Sequence, residues 1–240
     1  MRNINELKNQ CGKWLCDRLK DACADGIILG LSGGIDSSVL AALAREALGR
    51  EKVLGVIMPC RSIPEDEADA RLLAEAVDVD FIRVDLTEVF DSMLKNIGGE
   101  LNSLVQSNMK ARLRMVTLYA VAQSKNFLVC GTSNKSEYET GYFTKFGDSG
   151  VDLMPLANFL KRDIRELAKI LNVPEKIITK APSAGLYEGQ TDEGDMGFSY
   201  DILDEYLATG TIGDEKARER IDVMRRRSEH KRKPIPIFSF

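Results

Sequence analysis

The sequence predicts an α/β fold: one domain, with a parallel sheet covered by helices on both faces. Three observations carry this. Short apolar runs alternate with longer amphipathic stretches in the order βαβαβα over the first 130 residues. The apolar runs are near-continuous rather than alternating, as in strands buried on both sides. The chain has 240 residues, a length at which one such domain buries roughly 70% of its unfolded surface without disulfides or metals.

Taken in order, residues 4–24 read as an amphipathic opening helix, and Gly26 to Leu31 (GIILGL) as the first strand. A helix starts at about Asp36, with Leu40, Leu43, Ala44 and Ala47 on its apolar face and Gly49 as its C-terminal stop. Lys52 to Met58 is a second strand. Pro64 to Val77 opens with proline and acids, the expected chemistry of a helical first turn. Val79 to Val84 is a third strand, 87–97 and 103–124 are helical, and Phe127 to Cys130 is a fourth strand. Residues 134–150 are polar and glycine-rich, and 161–171 form an amphipathic helix. Ala181 to Gly197 has five glycines or prolines and no periodicity, the pattern of a lid or binding loop. Helices are expected at 199–208 and 214–229, before a basic and then apolar tail, KRKPIPIFSF. No repeat or linker divides the chain.

Composition excludes several classes. Thirty-three Lys and Arg against 37 Asp and Glu give a net charge of −4, which argues against a general nucleic-acid binder. No apolar run approaches the ~20 residues that span a bilayer, and MRNINELKNQ lacks the apolar core of a signal peptide. Five cysteines without a CxxC pair imply free, mostly buried thiols and a reducing, cytoplasmic location. A single histidine, His230, removes every metal site that needs two. Chemistry here must run on carboxylates, cations, hydroxyls and backbone.

The turn after the first strand is the most informative segment: Gly30, Leu31, Ser32, Gly33, Gly34, Ile35, Asp36, Ser37 and Ser38. Glycines let backbone N–H groups approach an anion, two serines add donors, and the helix N-terminus adds about half a positive charge. This is a phosphate cradle, though not the GxxxxGK[ST] loop. It also holds an acid, Asp36, which makes sense beside phosphate if a divalent cation lies between them. A plain strand–helix turn with Asp36 as N-cap is the structural alternative. Gly30 to Gly34 also satisfies G-x-S-x-G, the nucleophile elbow of α/β-hydrolases. That elbow belongs after a late strand, and His230 sits in a strongly cationic setting.

The string SGGIDSS resembles the signature of the ATP pyrophosphatases, or PP-loop enzymes. Downstream segments are similar to the NAD synthetase family: KARLRM at Lys110 to Met115, GTSNKSE at Gly131 to Glu137, GYFTKFGD at Gly141 to Asp148, Asp152 to Leu156, Lys161-Arg162, Pro182 to Gly197, and His230 to Lys233. The likeness runs over essentially the whole chain. It implies a doubly wound, adenine-nucleotide alpha hydrolase-like (Rossmann-like) sheet. It also implies amidation of deamido-NAD with ammonia at the expense of ATP, through an adenylate, giving NAD, AMP and pyrophosphate.

Carried over by position, the resemblance places ATP on residues 30–38 with Thr132, Lys161 and Ser183. Ser183 stands where the family usually has threonine. Mg²⁺ falls to Asp36 and Glu137, and deamido-NAD to Arg112, Lys145, Asp152, His230 and Lys231. Asp36, Asp152 and Lys161 form the expected catalytic set. A homodimer built on the long helices is implied, with no nucleic-acid or membrane partner. The synthetase motifs occupy nearly all 240 residues, so a single domain at 1–240 without a glutaminase, using ammonia directly, is expected. Plain alternatives stand beside these roles: Glu137 as a first-turn acid, Lys161 as a surface lysine, Arg112 as a helix-face arginine, and 225–233 as a solvated tail. Competing functions are another PP-loop amide-forming or tRNA-modifying enzyme, or a nucleotide-binding module without turnover.

Overall fold

The computed structural model describes residues 3–182 and 191–239. Helix α1 (Ile4–Asp21) is capped by the Asn3 side chain, and Cys23, at φ +50°, ends its exit turn short of the expected residue 24. Strand β1 (Gly26–Gly30) leads into α2 (Ile35–Leu48), which Gly49 terminates as expected. Then come β2 (Val53–Ile57), α3 (Pro64–Ala76) with proline at its start, β3 (Asp80–Arg83), α4 (Thr87–Ile97), α5 (Ser103–Lys125) and β4 (Phe127–Val129). The second half holds α6 (Lys135–Thr140), α7 (Lys161–Ile170), α8 (Glu175–Thr179), α9 (Asp192–Met196), α10 (Tyr200–Thr209), α11 (Glu215–Arg227) and α12 (Glu229–Arg232).

The sheet has the order β3-β2-β1-β4 and every pairing is parallel. Its two faces are read directly from the alternation along the strands. Ile27 and Leu29 of β1, with Val53 and Ile57 of β2, pack against α1, α2, α3 and α7. Ile28, Leu54 and Val56 point the other way, against Phe90 of α4 and Leu118 and Ala122 of α5. A smaller apolar cluster unites Met196, Tyr200 and Leu203 with Ala217 and Ile221. This is the expected doubly wound, Rossmann-like architecture. Four short helices fall where no periodicity could reveal them, since four to six residues make barely one turn. Two are set by caps: Asn134 closes a capping box on α6, and the Thr191 side chain caps α9.

Both faces of β1 are therefore tested independently. Ile28→Ala and Leu29→Ala each remove a fully buried side chain from a different core, and each is expected to cost about 2–5 kcal/mol in urea unfolding. A loss under about 1 kcal/mol for either would mean that its face of the sheet is not closed.

Candidate active site

The sheet runs outward from β1 to β2 and β3 on one side and to β4 on the other. The segments after β1 and β4 therefore diverge at the carboxyl edge, where open α/β sheets take ligands. The residues of the first segment are arranged by hydrogen bonds. Ser37 Oγ donates to Gly34 O at 3.0 Å and Ser38 Oγ to the same carbonyl at 2.8 Å, while Gly34 N donates to Ser32 Oγ at 3.2 Å. Gly33 sits at φ +77°, and a Cβ there would run into the Asp66 carbonyl and lie 3.1 Å from Asp69 Cβ. Only glycine fits. Gly34, in extended conformation and with no side-chain cap, is the N-cap of α2. Asp36 is thus not the N-cap, and the plain-turn alternative fails on that point. The first-turn amides of α2 are left without intrahelical acceptors, as at any helix start.

After β4, Cys130 pairs with Leu153 in an isolated parallel bridge, and Thr132 lies half-buried on the way to Asn134. The capping box of α6 orients Glu137: its backbone N donates to Asn134 Oδ1 at 3.0 Å, and its Oε2 accepts from Asn134 N at 3.3 Å. Glu137 is the first-turn acid of the plain reading, yet its other oxygen faces the site. Lys161, the first residue of α7, is 1% exposed rather than a surface lysine. Its Nζ donates to Asp36 Oδ2 at 2.6 Å and to Glu137 Oε1 at 3.1 Å. Fully buried Asn134 joins the two segments by donating from Nδ2 to Asp36 Oδ1 at 2.8 Å. Asn134 and Tyr200, whose ring lies 4.7 Å from Lys161 Nζ, are site residues that sequence reasoning missed. The capping-box spacing Asn134–Glu137 was the available signal for the first.

The charges explain one another. Burial opposes the Lys161 ammonium, but Asp36 and Glu137 overcome it and hold the group above the usual lysine range. Burial, then the Asp36 charge, push Glu137 up to about 7 against the pull of Lys161. Burial likewise raises Asp192 and Tyr200.

The expected substrate contacts form a second group. Arg112 of α5 donates to Lys145 O at 3.2 Å, Lys145 Nζ to His230 O at 2.7 Å, and Lys231 Nζ to the Gly141 and Phe143 carbonyls at 2.8 and 2.7 Å. Lys145, Lys231 and Lys233 line a cleft of about 250 Å³ with Tyr138 and Phe146. The 225–233 run is not a solvated tail: Arg225 pairs with Glu139 at 2.9 Å, and Arg232 donates to the Tyr138 carbonyl at 3.2 Å. Arg112 itself lies exposed on its helix face. Asp152 stands apart from the expected catalytic set. Its Oδ2 accepts from Val129 N at 2.8 Å and its Oδ1 from Tyr119 OH at 3.0 Å, so it braces β4. Among the described residues no hydrogen bond or ion pair joins it to Asp36 or Lys161. Ser183 and the rest of 183–190 lie outside the described residues; in the described remainder of the expected 181–197 loop, Asp192–Met196 form α9 rather than loop.

The donor set fits a divalent cation. Asp36 and Glu137 both reach one point, now held by Lys161 Nζ. A third carboxylate, Asp192, stands behind them, joined to Glu137 through the Tyr200 hydroxyl. Among the described residues no three or more His, Cys, Asp or Glu close around a common centre. Two carboxylates, completed by phosphate oxygens and water, suit Mg²⁺.

A parallel, doubly wound sheet with its polar residues gathered at the strand-order reversal defines a Rossmann-like α/β protein. The sequence model of the NAD synthase family matches residues 7–235, and the chain belongs to that family. It is 48% identical over 238 residues to an NH(3)-dependent NAD(+) synthetase of Finegoldia magna, covering 99% of this chain and 98% of the relative. In structure it resembles an NMN synthetase from Francisella tularensis at TM-score 0.95 and 38% identity, with full coverage of both chains. It also resembles an NH3-dependent NAD synthetase from Campylobacter jejuni, solved with nitrate, at TM-score 0.83 and 28% identity, again with full coverage of both.

Lys161→Met tests the charge balance. It leaves Asp36 and Glu137 facing each other unneutralised, so the metal-free protein is expected to lose about 3–5 kcal/mol of stability. Denaturant melts with and without Mg²⁺·ATP are the check. An unchanged midpoint without ligand would show that the ammonium does not offset these carboxylates.

Proposed function

We propose that the chain is an ammonia-dependent NAD synthetase. It amidates deamido-NAD and converts ATP to AMP and pyrophosphate. The observation that carries this is the meeting of Asp36 and Glu137, from the segments after neighbouring strands, at the buried Lys161 ammonium beside an amide-lined turn.

On this reading the turn at 30–38 holds the ATP phosphates, with Thr132, Ser183 and Lys161 as further contacts. Asp36 and Glu137 would hold Mg²⁺, which when bound offsets the repulsion between substrate carboxylate and polyphosphate. Arg112, Lys145, His230 and Lys231 hold the anionic groups of deamido-NAD. An oxygen of the nicotinate carboxylate attacks the α-phosphorus, pyrophosphate leaves, and an adenylate results. Ammonia attacks the acyl carbon, AMP leaves with its bonding electrons, and a proton is released. The protein positions these groups and neutralises charge. Lys161 acts on the polyphosphate charge. Asp152, exposed beside the β4 edge, contacts the substrate or orients ammonia.

The unit is read as a single synthetase domain over residues 1–240 in the cytoplasm, taking ammonia directly. A homodimer is supported by apolar residues left exposed on adjacent helices: Val89, Met93 and Ile97, spaced by four along α4, and Leu104 and Val116 on α5. Light scattering should then give twice the 26.7 kDa chain mass.

A second reading, favoured by the TM-score of 0.95 to a protein described as an NMN synthetase, is that the acceptor is the mononucleotide, nicotinate mononucleotide. One assay decides. With ATP, Mg²⁺ and an ammonium salt, deamido-NAD should yield NAD with one AMP and one pyrophosphate per turnover. Its kcat/KM should exceed that for nicotinate mononucleotide by at least about tenfold, roughly 1.4 kcal/mol of differential binding. The reverse preference would establish the mononucleotide reading. ADP and phosphate as products would overturn both. Asp36→Asn should lower turnover at least about 100-fold, as for loss of a charge-stabilising group.

A further inference from the structure

Three acids open α3: Glu65 and Asp66 in its first turn, and Asp69 one turn later. Acids there suit the positive end of a helix. The same stretch backs the amide-lined turn, since the Asp66 carbonyl and Asp69 Cβ fill the space beside Gly33. Asp69 is 1% exposed, so water and salt screen its charge poorly. A bare carboxylate in this place stands behind a turn suited to phosphate, and like charges across a dehydrated wall repel. What serves the start of α3 therefore works against the turn packed on it.

Two lysines reconcile the two. Lys176 of α8 pairs with Glu65 at 3.0 Å and with Asp69 at 2.7 Å. Lys180, which ends α8 in extended conformation, donates to Asp66 Oδ1 at 2.8 Å and to Asp69 Oδ2 at 2.7 Å. Burial pushes the Asp69 carboxyl up, yet the two ammonium groups overcome it and hold the acid below its usual range. The lysines are not equivalent. The Lys180 side chain is 31% exposed against 52% for Lys176. Lys180 also bridges both acids that adjoin Gly33, whereas Lys176 divides itself between Asp69 and the outer Glu65. Three acids face two lysines, so these ion pairs leave one negative charge uncompensated; without Lys180 they would leave two.

We propose that Lys180 is a positioning residue for the polyphosphate. By neutralising Asp66 and Asp69 it keeps the wall behind Gly33 from repelling the anion, and it ties α8 to the helix on which the turn packs. It acts through those acids rather than by touching the phosphates. The inference rests on the turn at 30–38 holding the ATP phosphates, and it deepens that reading.

Calorimetric titration of the whole chain with Mg²⁺·ATP, with no deamido-NAD present, reads the effect. Lys180→Met is expected to weaken ATP binding by about 10-fold, the order expected of one bared charge beyond contact distance. Asp69→Asn removes a charge that Lys180 answers. Lys180→Met combined with Asp69→Asn should therefore recover most of the lost affinity, a non-additivity that a purely structural brace does not give. Thermal melts verify that each variant is folded. If the double variant is not, Asp66→Asn replaces Asp69→Asn in it.

Unchanged ATP affinity in Lys180→Met, alongside loss in Gly33→Ala, overturns the inference and leaves the phosphate turn standing. A double variant that binds ATP no better than Lys180→Met also overturns it, since the lysine would then serve the fold rather than the charge. Unchanged ATP affinity in Gly33→Ala overturns the phosphate turn and the inference together.

Discussion

The site depends on one buried ammonium. Lys161 has almost no solvent exposure, and a lone charge there would cost several kcal/mol. Asp36 and Glu137 offset that cost, and each is tolerated near the other because the ammonium lies between them. The arrangement is therefore reciprocal: three groups that would be unfavourable alone hold one another in place. It also keeps two oxygen donors aimed at a single point, the property a divalent cation requires. The balance is incomplete, since Glu137 is still pushed up to about 7 by burial and by Asp36. A site with residual negative character is prepared for a further positive charge.

What brings these groups together is the topology. Asp36 arrives after β1 and Glu137 after β4, and those strands are neighbours. Asn134 makes the junction rigid, capping α6 through Oδ1 and bonding Asp36 through Nδ2. Helix α6 then serves two regions at once. Glu137 turns toward Lys161, while the Tyr138 carbonyl and Glu139 anchor Arg232 and Arg225 of the C-terminal helices. The charge cluster and the cationic cleft are thereby mounted on one turn of helix.

How much of this was legible in the sequence follows from how each feature is encoded. The four strands and the long helices announce themselves through burial on both faces or one, a pattern of local composition. The turn at 30–38 was legible because its glycines have no structural substitute: Gly33 combines positive φ with a backbone contact at Asp66. Lys161 was opaque. A lysine at a helix start reads as solvated, and only the tertiary approach of two acids makes burial favourable. Asp152 was legible only through a motif match, and the match gave no sign of its second task at β4. Its two oxygens accept from Val129 N and Tyr119 OH, a pairing across 23 and 33 residues that no local pattern encodes. Short helices α6, α8, α9 and α12 lie below the length at which periodicity is informative.

The described residues on either side of 183–190 are fixed to opposite parts of the site. On one side Lys180 donates to Asp66 at 2.8 Å and to buried Asp69 at 2.7 Å, and Lys176 also pairs with Asp69 at 2.7 Å. Asp66 is the residue whose carbonyl backs Gly33, so this anchor stands directly behind the amide-lined turn. On the other side Asp192 reaches Glu137 through Tyr200. The Asp192 amide closes the gap by donating to the Pro182 carbonyl at 3.0 Å. Among the described residues the two anchors meet across that hydrogen bond, with the amide-lined turn behind one and Glu137 and Lys161 behind the other.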